Sequence, residues 1–194
     1  LTDGAQVGRY VIVASDVTSR KERERQLRDI SLVDEATGLP NRRYLTERLS
    51  EAIARRSRKA DEPLALLFID LDGFKAINDL YGHLTGDMLL REIGRRLHAE
   101  LRAGDIVTRY GGDEFVVILE SITFENSVGR VVDRLSESIR RPFIVNAKPV
   151  RADASIGVAV YNGDQETPEE LVRRADEAMY TEKVAPYERG HIRD

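Results

Sequence analysis

The sequence has no cysteine, which excludes disulfide bridges and thiolate metal sites. Its three histidines, His83, His98 and His191, are too far apart in the chain for a zinc motif. There is also no excess of basic residues, because 30 lysines and arginines stand against 34 acidic residues. No apolar run approaches the roughly 18 residues of a membrane span, and no signal peptide opens the chain. We therefore expect a protein of the reducing cytoplasm, with no nucleic-acid polymer as its partner and no membrane contact by this chain.

The length of 194 residues, with 41% hydrophobic and 33% charged side chains, suits one well-cored domain and an additional segment at one end. The chain begins at Leu1 rather than at methionine. We expect it to be a fragment of a longer protein, whose upstream part could include membrane segments.

The N-terminal part differs in composition from the rest. An apolar strand pattern at residues 7–14 gives way to a charged run, in which Ser19 and Glu22 have capping-box spacing and predict a helix. Leu27 and Ile30 are its clearest apolar positions. Two interpretations stay open: a solvated helical face, or a parallel coiled coil that links an upstream sensor to the downstream domain. Both make this segment a helical linker.

The remaining chain alternates between helical and strand patterns. Residues 64–69 form a continuous apolar run that is typical of a buried strand, and residues 106–110 and 115–119 have the composition of a hairpin. The predicted order is helix (41 to about 60), strand, helix (from Gly86), hairpin, helix (128–139), strand (154–161) and helix (168 to about 183). This order predicts an α+β fold, with helices flanking a central, mostly antiparallel sheet.

The hairpin carries two glycines and two carboxylates at its tip. Gly111 and Gly112 occupy the place of a two-residue turn, and glycine lets a backbone come close to a ligand. Asp113 and Glu114 follow directly, and their like charges repel unless a cation or a proton holds them. Our hypothesis for this tip is a magnesium site.

Further carboxylates follow the buried strand. Alternation places Asp70 and Asp72 on one face, and an aspartate directly after an apolar run is unfavourable unless it is paired or binds metal. If this strand lies beside the hairpin, Asp70 joins Asp113 and Glu114 in a cluster able to hold one or two magnesium ions bridged by triphosphate oxygens. The alternative for Asp70 is a strand-end residue that caps a turn. Lys75 either neutralises a phosphate or is one more exposed lysine.

Together these residues resemble the GGDEF-domain family of diguanylate cyclases, whose signature is Gly-Gly-Asp-Glu-Phe at 111–115. Other segments are similar to family motifs in the family's order: 34–43 (DEATGLPNRR), 70–79 (DLDGFKAIND), 82–87 (GHLTGD), 154–158 (ASIGV) and 174–180 (RADEAMY). A match of this extent is far more specific than a short signature alone. In addition, residues 9–18 (RYVIVASDVT) resemble the last strand of a PAS sensor domain and its exit motif. The implied division is 1–18 as a PAS-like remnant, 19–33 as the helical linker and 34–194 as the GGDEF domain.

The resemblance implies a ferredoxin-like cyclase palm that condenses two GTP molecules to cyclic di-GMP with release of two pyrophosphates. Each domain of a homodimer would present one GTP to the other. The implied metal, Mg²⁺ or Mn²⁺, would be held by Asp70, the carbonyl of Leu71 and Asp113, with Glu114 assisting at a second metal position. Asp113 is also the implied base for the ribose 3′-hydroxyl, and Lys75 would stabilise the phosphoryl transition state.

Other positions match substrate contacts of the family. Asn78 and Asp87 match the residues that read guanine, because an amide and a carboxylate can accept from its N1–H and N2–H groups. The implied substrate-binding set is Phe74, Asn78, His83, Asp87, Gly111, Gly112 and Lys183. The alternatives are a helix-surface Asn78, an Asp87 that caps a helix, and a packed or surface His83. The arginine that follows the family's phosphate-binding lysine has no counterpart in register after Lys183.

Arg102 and Asp105 form an Arg-x-x-Asp pattern shortly before the signature. In the family this spacing marks a product-inhibition site, where the arginine donates paired hydrogen bonds to guanine or phosphate of cyclic di-GMP. Arg134 is a secondary candidate contact. The alternative is an arginine at a helix C-terminus, followed by a Gly-Asp turn.

Two rival functions stay open beside an active cyclase. One is a module of the same fold that binds GTP or cyclic di-GMP as a signal without turnover, and the other is the regulatory half of a protein that also degrades cyclic di-GMP. The presence of Asp70, Lys75, Asp113 and Glu114 favours the enzyme. Since catalysis needs two domains face to face, we expect this chain to be largely monomeric and slow on its own.

Overall fold

The computed structural model describes residues 32–56, 63–120, 122, 127–145, 148–163 and 166–189. The predicted PAS-like remnant (1–18) and nearly all of the predicted helical linker (19–33) lie outside the described residues, so both stay predictions. Within the described ranges, every helix is too short or too polar to cross a lipid bilayer.

A four-stranded antiparallel sheet forms the centre of the described domain. Its strands, numbered in chain order, are β1 (Ala65–Asp72), β2 (Ile106–Gly111), β3 (Glu114–Leu119) and β6 (Asp153–Val160), in the spatial order β2-β3-β1-β6. The short strands β4 (Phe143–Val145) and β5 (Lys148–Val150) pair separately. The described helices are α1 (Arg42–Arg56), α2 (Phe74–Tyr81), α3 (His83–Glu100), α4 (Val128–Arg140) and α5 (Pro168–Arg189).

Helices cover both faces of the sheet, because alternate residues of each central strand point to opposite faces. On one face, Leu67 and Ile69 of β1 pack with α3 and α4, through Leu89, Leu90, Ile93, Leu97, Val131, Leu135 and Ile139. On the other face, Leu66 and Phe68 pack with α1 and α5, through Leu45, Leu49, Ala52, Leu171, Ala175 and Met179. The strand order and the two helical layers confirm the predicted α+β, ferredoxin-like palm.

Three details differ from the sequence-based expectations. The predicted order omits α2, as well as the small β4–β5 pair. The helix expected from Gly86 begins at His83, directly after Gly82, whose φ of 85° interrupts the helical path between α2 and α3. The last helix continues to Arg189 rather than ending near Lys183. Short amphipathic segments such as α2 are missed because so few turns of apolar spacing are too weak a signal.

Helix α5 lies unusually close to the sheet. A Cβ atom at Gly157 of β6 would be 2.1 Å from both the Ala175 carbonyl oxygen and the Met179 amide nitrogen, so only glycine fits there. Further along α5, the Glu182 carboxylate accepts a hydrogen bond from the Ile156 amide at 2.8 Å. These two contacts fix the C-terminal part of α5 beside the end of β1.

Candidate active site

The predicted carboxylate cluster forms where β1 and β3 pair. Asp70 lies opposite Glu114 in the antiparallel register, and the Leu71 amide donates to the Asp113 carbonyl at 3.3 Å. By alternation, Asp70, Asp72 and Glu114 share the sheet face that α1 and α5 cover. The structure therefore brings Asp70, Asp113 and Glu114 together, as the sequence predicted.

The hairpin turn itself is one residue later than predicted. Gly111 is the last residue of β2 and pairs with Glu114, so the two turn residues are Gly112 and Asp113. Gly112 has a φ of 52°, in the left-handed region that glycine adopts readily. The register shift between Arg109 and Gly111 accounts for the difference, because a bulge adds one residue to β2. Asp113 thus projects from the turn and not from a strand.

Three carboxyl groups of this region have raised pKa values. Burial is the largest cause for Asp72, Asp113 and Glu114, and the negative charge of nearby Asp70 raises all three pKa values further. The Ser155 hydroxyl, 3.1 and 3.2 Å from the two carboxylate oxygens of Asp72, donates to that group and partly offsets the effect there. Burial and the charge of Asp70 therefore both disfavour the ionised forms of these carboxyl groups, and a bound cation would offset both effects.

Lys183 supplies positive charge beside these carboxylates. Its Nζ atom is 2.5 Å from Oδ1 of Asp70, and the exposed fractions of the two side chains are 40% and 14%. Burial opposes the charge of Lys183, but the hydrogen bond to Asp70 and the charges of Asp70, Asp72 and Asp113 outweigh it and raise the pKa of the lysine. The sequence singled out this lysine but did not predict its partner.

An ion pair that the sequence analysis missed holds the turn in place. Arg109 donates from Nη1 to both carboxylate oxygens of Asp34, at 3.0 and 3.2 Å, and from Nε and Nη2 to the Gly112 carbonyl, at 3.1 and 2.7 Å. Asp34 also accepts from the amide and the hydroxyl of Thr37, at 2.9 and 2.7 Å. Burial opposes the charge of Asp34, but the bonds from Thr37 and Arg109 hold its pKa below the ordinary value. Arg109 thus connects the loop before α1 to the turn that carries Asp113.

The predicted guanine-reading residues lie on α2 and α3. The Asn78 amide oxygen is buried and accepts no hydrogen bond from the described residues. It lies against Gly86, where a Cβ atom would be 1.9 Å from this oxygen and 3.1 Å from Cζ of Phe74. Lys75, His83 and Asp87 are exposed. An unsatisfied buried carbonyl costs roughly 1–3 kcal/mol, so the Asn78 oxygen indicates a place for a donor from a ligand.

The carboxylates do not form a ready-made metal cage. Among the described residues, no group of three or more histidine, cysteine, aspartate or glutamate side chains is arranged to enclose a metal ion. Magnesium is commonly held by one or two carboxylates together with substrate phosphates and water, so a closed cage is not required. The ammonium of Lys183, 2.5 Å from Asp70, already places a cation beside the proposed ligands. The donor set of carboxylates and a backbone carbonyl therefore fits a hard divalent cation.

The Arg-x-x-Asp pair lies between α3 and β2. Arg102 approaches Asp105 at 3.4 Å and donates from Nη2 to the Glu120 carbonyl, while the Asp105 side chain is almost fully buried. Arg134 donates to the carbonyl of Glu100, the last residue of α3, at 3.0 Å. The structure thus brings Arg102 and Asp105 together, and it places the guanidinium of Arg134, a residue of α4, against the last residue of α3.

A family model described as diguanylate cyclase, GGDEF domain, matches residues 31–189 of the chain. Over 166 residues the chain is 44% identical to the bifunctional diguanylate cyclase/cyclic di-GMP phosphodiesterase MucR of Pseudomonas aeruginosa, a match that covers 86% of this chain and 24% of MucR. The chain therefore spans about a quarter of the length of that relative.

Two solved structures share the fold. A sensory box/GGDEF family protein from Caulobacter crescentus superposes with a TM-score of 0.74 at 38% identity, over 80% of this chain and 99% of that chain. The coiled coil and GGDEF domain of DgcB from Caulobacter crescentus, in complex with c-di-GMP, superposes with a TM-score of 0.73 at 25% identity, over 88% of this chain and 90% of that chain.

Proposed function

Since the chain belongs to the GGDEF-domain family of diguanylate cyclases, we propose that it condenses two GTP molecules to cyclic di-GMP and two pyrophosphates, as a homodimer that depends on Mg²⁺ or Mn²⁺. The observation that carries this proposal is the convergence of Asp70, Asp113, Glu114 and Lys183 at one end of the central strands β1 and β3. Few structural roles require three carboxylates and a lysine so close together.

Metal binding is assigned to Asp70 and the Leu71 carbonyl, with Asp113 and Glu114 completing the site. A divalent cation bound there would neutralise charge on the triphosphate oxygens. Burial raises the pKa values of Asp113 and Glu114, and the negative charge of Asp70 raises them further; a bound cation would offset both effects, which supports this assignment.

Asp113 is also assigned as the base. It would accept the proton of the ribose 3′-hydroxyl, whose oxygen then bonds to the α-phosphorus of the partner's GTP while the bond from that phosphorus to the pyrophosphate oxygen breaks. A carboxylate with a raised pKa is a better proton acceptor than an ordinary one, which suits the role. Lys75, exposed on the first turn of α2, is assigned to the phosphoryl charge of the transition state.

Guanine recognition is assigned to α2 and α3. The unsatisfied Asn78 oxygen can accept from guanine, and the exposed Asp87 carboxylate can accept from the same edge of the base. Phe74 lies with Asn78 against Gly86 and would contact the base, and His83 is a further candidate contact. The hairpin glycines, 111 and 112, would let the phosphates approach the backbone.

The homodimer follows from the symmetry of the product. Cyclic di-GMP contains two equivalent halves, and one domain offers one carboxylate cluster and one Asn78, so a twofold arrangement of two domains supplies each half with the same contacts.

Product inhibition is assigned to Arg102 and Asp105, with Arg134 as a secondary contact. Bound cyclic di-GMP would accept the hydrogen bond that Arg102 otherwise donates to the Glu120 carbonyl.

The test is nucleotide analysis after incubation of the purified protein with GTP and Mg²⁺ over a series of protein concentrations. We expect cyclic di-GMP to rise more than linearly with protein, and to be absent with Asp113→Ala. Asp133→Asn, at an exposed position of α4, is the matched control and should keep the wild-type rate. Absence of product at high protein concentration would contradict the proposal and favour a module that binds the nucleotide without turnover.

A further inference from the structure

We propose that Lys183 makes metal binding conditional on the nucleotide. Without nucleotide, the ammonium of Lys183 forms an ion pair with Asp70. Only when phosphate oxygens of the nucleotide pair with this ammonium does Asp70 become free to bind a divalent cation. The proposal deepens the proposed function and rests on it for the identity of the nucleotide, GTP.

The first step is geometric. Nζ of Lys183 is 2.5 Å from Oδ1 of Asp70, a carboxylate assigned to the metal. The helix that carries Lys183 is held beside the sheet by the close packing at Gly157 and by the bond from the Ile156 amide to Glu182. Because the helix end is fixed, a change of partner requires only a rotation of the half-exposed Lys183 side chain.

The second step is electrostatic. A divalent cation bound by the Asp70 carboxylate, at the about 2.0–2.1 Å typical of Mg²⁺, would lie within a few ångströms of the ammonium and be repelled by it. Asp72 and Asp113 also act on Lys183, so its charge interacts with several carboxylates of the cluster and not with Asp70 alone. Free metal must therefore displace an internal cation before it can bind.

The third step is the release. A triphosphate offers the ammonium several anionic oxygens, so a metal–nucleotide complex brings both the cation for Asp70 and a new partner for Lys183. Coupling of this kind is reciprocal: if the nucleotide raises metal affinity by some factor, the metal raises nucleotide affinity by the same factor. The lysine would thus select the metal–GTP complex over free metal.

The experiment measures Mn²⁺ binding by the loss of its free electron paramagnetic resonance signal, with and without α,β-methylene-GTP, for the wild type and Lys183→Met. Without nucleotide, we expect Lys183→Met to bind Mn²⁺ about tenfold more tightly than the wild type, the scale on which a neighbouring charge shifts a carboxylate. With nucleotide, the gain in Mn²⁺ affinity should be smaller in the variant than in the wild type.

Two controls make the result specific. Arg173→Met removes an exposed cation from the same helix, where it pairs with Glu177, and should leave metal binding without nucleotide unchanged. Lys183→Arg keeps the charge and should keep metal binding weak. Equal Mn²⁺ affinity of the wild type and Lys183→Met without nucleotide, or an equal gain with Arg173→Met, would overturn the proposal. If α,β-methylene-GTP binds to none of the proteins, the proposed function fails, while the measurement without nucleotide still decides the role of Lys183.

Discussion

The acidic side chains of this domain fall into two groups that differ in how their charge is balanced. Asp34 and Glu92 are paired with arginines, and their pKa values are lowered. Burial raises the pKa values of Asp72, Asp113 and Glu114, and the negative charge of nearby Asp70 raises them further. The first group stabilises the fold, whereas the ionised forms of the second group are disfavoured unless a cation binds. The comparison therefore separates carboxylates that are paired with arginines from those at and beside the proposed metal site.

The largest expected effect is at Asp70, the carboxylate beside the second group. Asp70→Asn removes both an assigned metal ligand and the partner of Lys183. The rate of cyclic di-GMP formation should fall at least about 100-fold, since metal electrostatics and positioning supply most of the catalysis. Initial rates at saturating GTP measure it, and a rate close to that of the wild type would remove Asp70 from the site.

The next effect is at Asp34, a carboxylate of the first group that is connected to the hairpin turn through Arg109. Asp34→Asn should cost about 1–3 kcal/mol in the free energy of unfolding, because Arg109 loses a charged partner. It should also slow the reaction about tenfold, since the Gly112 carbonyl and hence Asp113 are less firmly placed. Urea unfolding and initial rates measure the two effects.

Glu47→Gln is the matched control for that experiment, because the Arg43–Glu47 ion pair is exposed and joins residues within one helix. Its loss should change stability by less than about 0.5 kcal/mol and leave the rate unchanged. Equal effects of Glu47→Gln and Asp34→Asn would show that the connection to the turn has no special role.

The two groups should respond to pH with opposite sign. Hydrogen bonds from Arg95, together with those from Arg96, lower the pKa of Glu92 from 4.5 to about 2, so its stabilisation is present above 4.5 and lost as the pH falls towards 2. Glu92→Gln should therefore be less stable than the wild type at about pH 7, with the difference shrinking through that window. The pKa of Asp113 is raised, so Asp113→Asn should be more stable at about pH 7 and lose this advantage in acid.

Urea unfolding of both variants and the wild type between about pH 7 and about pH 3 measures these differences. A loss of stability at neutral pH in Asp113→Asn would mean that Asp113 is a structural carboxylate like Glu92, and the division into two groups would fail.

The smallest expected effect is at Arg102, outside both groups. Arg102→Ala should leave the initial rate unchanged and raise the rate in the presence of added cyclic di-GMP a few-fold, because the assigned inhibitory contact is lost. Progress curves with and without added product measure it. Unchanged inhibition by cyclic di-GMP in the variant would refute the assignment of Arg102.

Much of this arrangement could be predicted from sequence because it depends on local patterns. The apolar run of β1, the alternation that places Asp70 and Asp72 on one face, and the glycines of the hairpin all lie within short segments. The contacts that were missed join distant segments: Asp34 with Arg109, and Asp70 with Lys183. No periodicity reports such pairs, since they depend on how α5 and the loop before α1 pack on the sheet. The turn was misplaced by one residue because a bulge in β2 leaves no mark in composition.

The central claim is that Asp113 of each domain activates the ribose 3′-hydroxyl of its own GTP for attack on the GTP of the partner domain. The most direct test is product analysis of wild-type protein mixed with an excess of Asp113→Ala. A mixed dimer has one competent base and can form one of the two phosphodiester bonds, so we predict that the linear dinucleotide pppGpG accumulates above its level with either protein alone. Cyclic di-GMP that only falls in proportion to the wild-type fraction, with no added linear product, would contradict the account.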